Sequence, residues 1–170
     1  MQIQNLIGKQ IIIRQFSMED FEGIRSWVNS KTVTHNLMDA QIFTHEHSET
    51  ETLEFLKSSL NIDSKNIRLV IADKKSNKYL GQIAIFNFSD IQQSCEFDIV
   101  IGNTEYWGKG IGTEIVQIVS NYLNQELRIK KIKILVKNSN QRAIHLALKN
   151  NFILENIENQ DYQLGIKICG

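Results

Sequence analysis

The patterning of this 170-residue chain predicts an α/β fold, a mixed and mostly antiparallel sheet of six to seven strands flanked by about four helices. Three observations carry that expectation. First, the β-rich apolar runs 68–73, 79–87 and 94–101 follow one another across polar turns, as antiparallel neighbours do. Second, the last run leads through a glycine-rich junction into residues at helical spacing, the strand-to-helix step of a parallel crossover. Third, the chain has no Pro, no repeat and no linker, so residues 1–170 read as one domain large enough for a sizeable core.

In chain order, 11–14 (Ile-Ile-Ile-Arg) reads as the first strand. Ser17 with Asp20 three residues on has the form of a capping box, and Phe21, Ile24 and Val28 follow at core-facing helical spacing. Ser48 with Glu51 caps a second helix that buries Leu53, Leu56 and Leu60. Segments 68–73 and 79–87 form a hairpin around the polar turn 74–78, and 94–101 is the next strand. The helix after the glycines carries Ile111, Ile115, Ile118, Val119 and Tyr122 and runs to about Asn124. A strand at 131–137, a helix at 140–150 and a closing hairpin of 152–157 with 162–169 complete the order β-α-α-β-β-β-α-β-α-β-β.

Composition removes several classes of function. Lys+Arg and Asp+Glu balance at 19 each, so no global field gathers nucleic acid. No apolar stretch approaches the ~20 residues of a membrane span, and residues 1–5 lack the basic and apolar regions of a signal peptide. Cys95 and Cys169 are too few for a disulfide framework or a zinc site, which fits a reducing cytoplasm. His45 and His47, two apart without a third patterned ligand, do not make a metal site, and none is expected. Monomer and homodimer are both compatible with the chain.

The most informative run is Tyr106-Trp107-Gly108-Lys109-Gly110-Ile111-Gly112-Thr113. Alternating glycines between strand and helix let backbone N–H groups converge with no Cβ in the way. The first helical turn adds unpaired donors and the positive end of the dipole, so a diphosphate is the natural occupant. Spacing excludes a phosphate-binding loop of the nucleotide hydrolases: five residues rather than four separate Gly102 from Gly108-Lys109, and Gly110 takes the hydroxyl position. A dinucleotide fingerprint fails too, because its last glycine falls on Thr113 or Ile115 and the next strand ends in Lys137-Asn138 rather than an acid.

The loop resembles that of the GNAT acetyltransferases, Gln/Arg-x-x-Gly-x-Gly/Ala, with Trp107 in the first place. The longer string through Thr113-Glu114 is similar to the ribosomal-protein-alanine N-acetyltransferase branch. Asn140-Gln141-Arg142-Ala143 through Lys149-Asn150-Asn151-Phe152 resembles the family's second signature helix, with Ala147 at its Tyr place and Asn151 at its Gly place. Ile13-Arg14, Asp20 and Trp27-Val28-Asn29 extend the likeness towards the start of the chain. The resemblance implies acetyl-CoA as co-substrate and no metal. It implies a cofactor arm on the main chain near Ile99, Val100 and Ile101, and a pyrophosphate on the loop 107–113. Lys109, Arg142 and Lys149 then face the phosphates. Residues 128–149 hold seven Lys or Arg and no carboxylate. A solvated face explains Arg142 and Lys149 equally well.

Acetyl transfer to an amine needs a proton acceptor, donors for the oxyanion and a proton for the departing thiolate. Glu96 stands at the offset of a catalytic Glu in some family members, and Asp98 shares its strand face. Both also read as the polar side of a half-buried strand. Ala147 cannot donate a proton. Ser139, Asn140 and Tyr106 are the remaining groups for the sulfur or a water, with helix capping for Ser139 or Asn140 and packing for Tyr106 as the alternatives. On the acceptor side, residues 32–56 hold Asp39, Glu46, Glu49, Glu51 and Glu54 and no Lys or Arg. That wall favours a cationic amine or is merely soluble. Trp27 reads as pocket or core. Cys95 without a placed His reads as buried filler. The expected partner is a small-molecule amine or a peptide N-terminus. A non-catalytic acyl-CoA-binding sensor or structural protein with the same fold is the alternative.

Overall fold

The computed structural model describes residues 3–37, 43, 45–158 and 161–169. The elements are β1 (Leu6–Ile7), β2 (Ile11–Arg14), α1 (Phe21–Val28), α2 (Lys31–Thr34) and α3 (Glu49–Ser59), then β3 (Ile67–Asp73), β4 (Tyr79–Ser89) and β5 (Ser94–Ile101). They continue with α4 (Ile111–Gln125), β6 (Lys131–Lys137), α5 (Gln141–Lys149), β7 (Ile153–Asn156) and β8 (Tyr162–Ile168). One sheet runs β1-β2-β3-β4-β5-β6-β8-β7. Every neighbouring pair is antiparallel except β5 and β6, the two strands that α4 connects.

Two elements were not foreseen: β1, which makes the sheet eight strands rather than six or seven, and the helix α2. Strand β1 is two residues paired with Ile12 and Ile13, and α2 is a single turn. Both are shorter than any periodicity that a sequence window detects. The Ser17–Asp20 box is present, but it caps a 3₁₀ turn, Met18–Asp20, that then feeds α1. The Ser48–Glu51 box caps α3 as expected.

Strand β3 is buried on both faces, which explains its unbroken apolar run. Leu69 and Ile71 join Ile83, Phe97 and the α4 residues Ile111 and Ile115 in the larger core. Val70 and Ala72, on the opposite face by strand alternation, pack with Phe16, Ile24 and Leu56 under α1 and α3. A third cluster joins Trp27, Val28 and Val33 to Val100 and Trp107, which fastens α1 and α2 to the end of β5.

One buried ion pair locks this frame. Asp20 is 2% exposed and receives Arg14 through two bonds, Nη2 to Oδ1 at 2.8 Å and Nη1 to Oδ2 at 2.9 Å. The same carboxylate accepts the Ser17 N–H at 2.8 Å, and Arg14 Nε donates to Asn77 Oδ1 at 2.8 Å. Strand β2, the start of α1 and the β3–β4 turn are thereby tied at one point.

Candidate active site

Strands β5 and β6 pair only over Ser94–Lys131, Cys95–Ile132 and Glu96–Lys133. Beyond Glu96 the two strands part, although β5 continues to Ile101 and β6 to Lys137. From Asp98 onward β5 therefore keeps β4 as a neighbour and, among the described residues, has no strand partner on its other edge. A cleft of about 660 Å³ opens into this gap. Its floor is Asp98–Ile101 with β6, and its flanks are the glycine loop, α5 and the α1–α2 region.

The glycine loop is shaped for an anion. Gly108 and Gly110 have φ of +73° and +83°, a left-handed backbone that glycine adopts without cost. A Cβ at either would meet nothing within 4 Å, so the main chain lies open there. Gly110 is the N-cap of α4 and offers no side-chain acceptor to the first helical turn. The donors of Ile111, Gly112 and Thr113 thus precede the first bond of the helix ladder, Glu114 N–H to the Gly110 carbonyl at 3.2 Å. Gly112 serves packing instead: a Cβ there would stand 3.2 Å from Leu146 of α5. Unpaired donors, open backbone and a cationic flank fit the pyrophosphate of coenzyme A.

Trp107 links loop and strand. Its indole N–H donates to the Ile101 carbonyl at 2.8 Å, and the Arg142 guanidinium stacks 4.1 Å from the ring centroid. Stacking holds Arg142 beside the loop. Arg142, His145 and Lys149, at i, i+3 and i+7, present one face of α5 to the cleft.

Of the residues singled out from the sequence, Trp27, Asp98, Ile99, Val100 and Ile101 line the cleft. So do Trp107, Gly108, Gly110, Gly112, Thr113, Asn140, Arg142 and Lys149. Glu96, Lys109, Ile111 and Ser139 do not line it, and Asp39 falls outside the described residues. Glu96 sits at the last β5–β6 pair, opposite Lys133, before the strands part. Lys109 is exposed, with its ammonium 5.4 Å from the Tyr106 ring, and Ile111 is buried in the core. Asn140 caps α5, accepting the Ala143 N–H at 3.1 Å and donating to the Asn36 carbonyl at 3.4 Å. The Tyr106 hydroxyl donates to Asp73 at 3.5 Å. Among the described residues Asp98 is the single carboxylate in the lining. Glu46, Glu49, Glu51 and Glu54, read as an acidic wall, stay outside it.

Several lining residues escaped the sequence reading. Gln82 accepts from the Tyr79 hydroxyl at 3.0 Å, which in turn accepts from the Trp27 indole at 3.0 Å. A glutamine inside the apolar run of β4 was the available signal. Burial pushes the Tyr79 phenol far above its ordinary range, so it remains a neutral donor. Asn36 also lines the cleft, and its Oδ1 is buried without a hydrogen-bond partner among the described residues. No periodicity marks an asparagine in a loop. Ala147, at the place of the family's tyrosine, lines the cleft and is buried. Cys95 is fully buried, and burial pushes its thiol up to about 12, which makes it inert filler rather than a nucleophile.

Comparison with known proteins agrees with this geometry. Residues 10–153 match the family profile described as an acetyltransferase (GNAT) domain. The chain is 26% identical over 149 residues to a spermidine N(1)-acetyltransferase of Vibrio cholerae, covering 88% of this chain and 82% of that one. It is 24% identical over 153 residues to the acetyltransferase PseH of Campylobacter jejuni, covering 90% and 89%. Among solved structures, a Vibrio cholerae spermidine N-acetyltransferase in complex with CoA and spermine superposes with a TM-score of 0.75 at 22% identity, covering 94% and 95% of the chains. A Vibrio cholerae protein provisionally assigned as a ribosomal-protein-serine acetyltransferase reaches 0.81 at 15% identity, covering 99% and 100%. At these identities the structural likeness speaks for the fold, whereas the profile spans most of the sequence. The chain belongs to the GNAT acetyltransferases.

Proposed function

We propose that this protein is an acetyl-CoA-dependent N-acetyltransferase that acetylates a small primary amine by direct attack within a ternary complex. The observation that carries the proposal is the coincidence of two features in one cleft. An anion-ready helix terminus lies at one end, and Asp98, the single carboxylate among the described lining residues, stands where the strands part. Acetyl-CoA supplies the activated acetyl group. The α4 terminus holds its pyrophosphate, and Arg142 and Lys149 balance the remaining phosphate charge. The open edge of β5 offers main-chain donors to the arm and to the oxyanion.

Asp98 takes the proton that the attacking amine loses, directly or through a water. Glu96 has the same orientation one strand pair earlier and is the alternative base, outside the cleft lining. Ala147 leaves the departing thiolate without a side-chain acid. An ordinary thiol titrates near 8.5, so solvent returns that proton without a large penalty. Asn36 and Gln82 supply polar contacts on the acceptor side. The relatives that act on spermidine make polyamines the first acceptors to test, ahead of peptide N-termini.

The reading in which the protein senses acyl-CoA without turnover is favoured by one feature, the buried Ala147. Release of CoA thiol, followed across polyamines, amino sugars and peptide N-termini, separates the two. Amine-dependent release supports the enzyme. Tight acetyl-CoA binding with no release from any amine supports the sensor.

A further inference from the structure

A cluster outside the cleft combines two imidazoles and a carboxylate. His45, His47 and Glu51 place one ligand atom each within 4.8 Å of one another. The sequence shows the two histidines but not their third member, because Glu51 comes from the first turn of α3 and reaches back across the cap. Glu51 is divided between two tasks. Its Oε2 accepts from the Ser48 N–H at 2.7 Å and from the Ser48 hydroxyl at 2.8 Å, completing the capping box. Its Oε1 points the other way and meets His45 Nε2 at 2.9 Å.

The second imidazole rests on a fixed backbone. The His47 N–H donates to Asn29 Oδ1 at 2.8 Å, and its carbonyl accepts from Asn29 Nδ2 at 3.1 Å and from Arg25. The two rings lie 4.7 Å apart at 31°. Ser48 thus positions the Glu51 carboxylate, and Asn29 and Arg25 hold the His47 backbone. The His45 ring, 58% exposed, already meets the Glu51 carboxylate.

We propose that His45, His47 and Glu51 form a binding site for one Zn²⁺ ion. Two neutral imidazoles and a carboxylate are a ligand set that zinc accepts, with a fourth position left to water. Zinc-bound atoms stand about 3.3 Å apart, so side-chain rotation within the cluster has to bring in atoms that now lie within 4.8 Å of one another. On binding, the ion replaces the hydrogen bond between His45 and Glu51. The ion would cross-link the segment before α3 to the helix itself. Phe43 contacts the His47 ring at 5.4 Å and the Trp27 ring at 5.9 Å, so the brace backs one wall of the cleft. The site's existence is independent of the acetyl-transfer reading.

The test is zinc binding to tag-free protein by competition with a chromophoric chelator, alongside thermal melts with and without zinc. The expected result is one equivalent bound, with a raised melting temperature. His45→Ala and Glu51→Gln should each weaken binding by at least about 100-fold, since loss of an outer partner alone costs 10- to 100-fold. His35→Ala should leave it unchanged. Both test positions are exposed, and melting without zinc confirms that the variants fold. No stoichiometric binding, or binding that survives His45→Ala, overturns the proposal.

Discussion

Asp98 and Glu96 stand two residues apart on one face of β5, yet the parting of β5 from β6 gives them different surroundings. Glu96 is still within the β5–β6 ladder, opposite Lys133, whereas Asp98 borders the cleft. The sequence places both on the same side of the strand and ranks Glu96 first by its offset from the loop. It holds no mark of the residue at which the strands separate, because the last pair depends on β6, more than 30 residues away. Asp98→Asn is expected to lower kcat by about 100-fold or more with little change in acetyl-CoA affinity, the loss typical of a removed general base. Steady-state kinetics beside calorimetry reads both quantities. If Glu96→Gln causes that loss and Asp98→Asn does not, the base is Glu96. A separate residue-scale expectation concerns Asp20. Asp20→Ala leaves the Arg14 guanidinium buried against no carboxylate, and denaturant unfolding should show a loss of about 3 kcal/mol.

At the scale of elements, what could be read in advance followed from periodicity and glycine. The β5–α4 junction was legible because three glycines between an apolar run and a helical stripe have few other uses. Strands β3 to β6 and helices α3 to α5 were legible because each is long enough to show its period. Strand β1 and α2 were not, being two and four residues long. Asn140 illustrates how one residue type serves two purposes: its position before α5 suits catalysis or capping, and the structure shows the cap. The loop itself has a testable cost. Gly110 at φ +83° would strain any L-residue, so Gly110→Ala should cost about 1 kcal/mol in a thermal melt without any steric clash. A melt unchanged by the substitution would mean that the loop is not held left-handed.

Across the whole molecule, the sheet separates two jobs. One face packs on α4 and makes the larger core, and the other carries α1 and α3. Cys95 lies in that larger core, and its raised thiol couples core to solvent pH. A thiol that titrates near 9 when unfolded and about 12 when folded stabilises the fold fully below 9. Its contribution is lost as pH rises from 9 through 12, because only the unfolded chain can ionise it. Denaturant midpoints should fall across that window in the wild type and fall less in Cys95→Ala. Equal slopes would show that Cys95 is not the group responsible. The proposed activity depends on the amides at the start of α4 receiving the pyrophosphate of acetyl-CoA. Titration calorimetry of acetyl-CoA into the wild type and into Gly110→Asp, with Gly110→Asn as the uncharged match, tests this most directly. One site is expected in the wild type, retained though weakened in Gly110→Asn and weakened by at least about 100-fold in Gly110→Asp, whose carboxylate caps the helix and repels the anion. Absence of binding in the wild type, or equal affinity in the Asp and Asn variants, would contradict it.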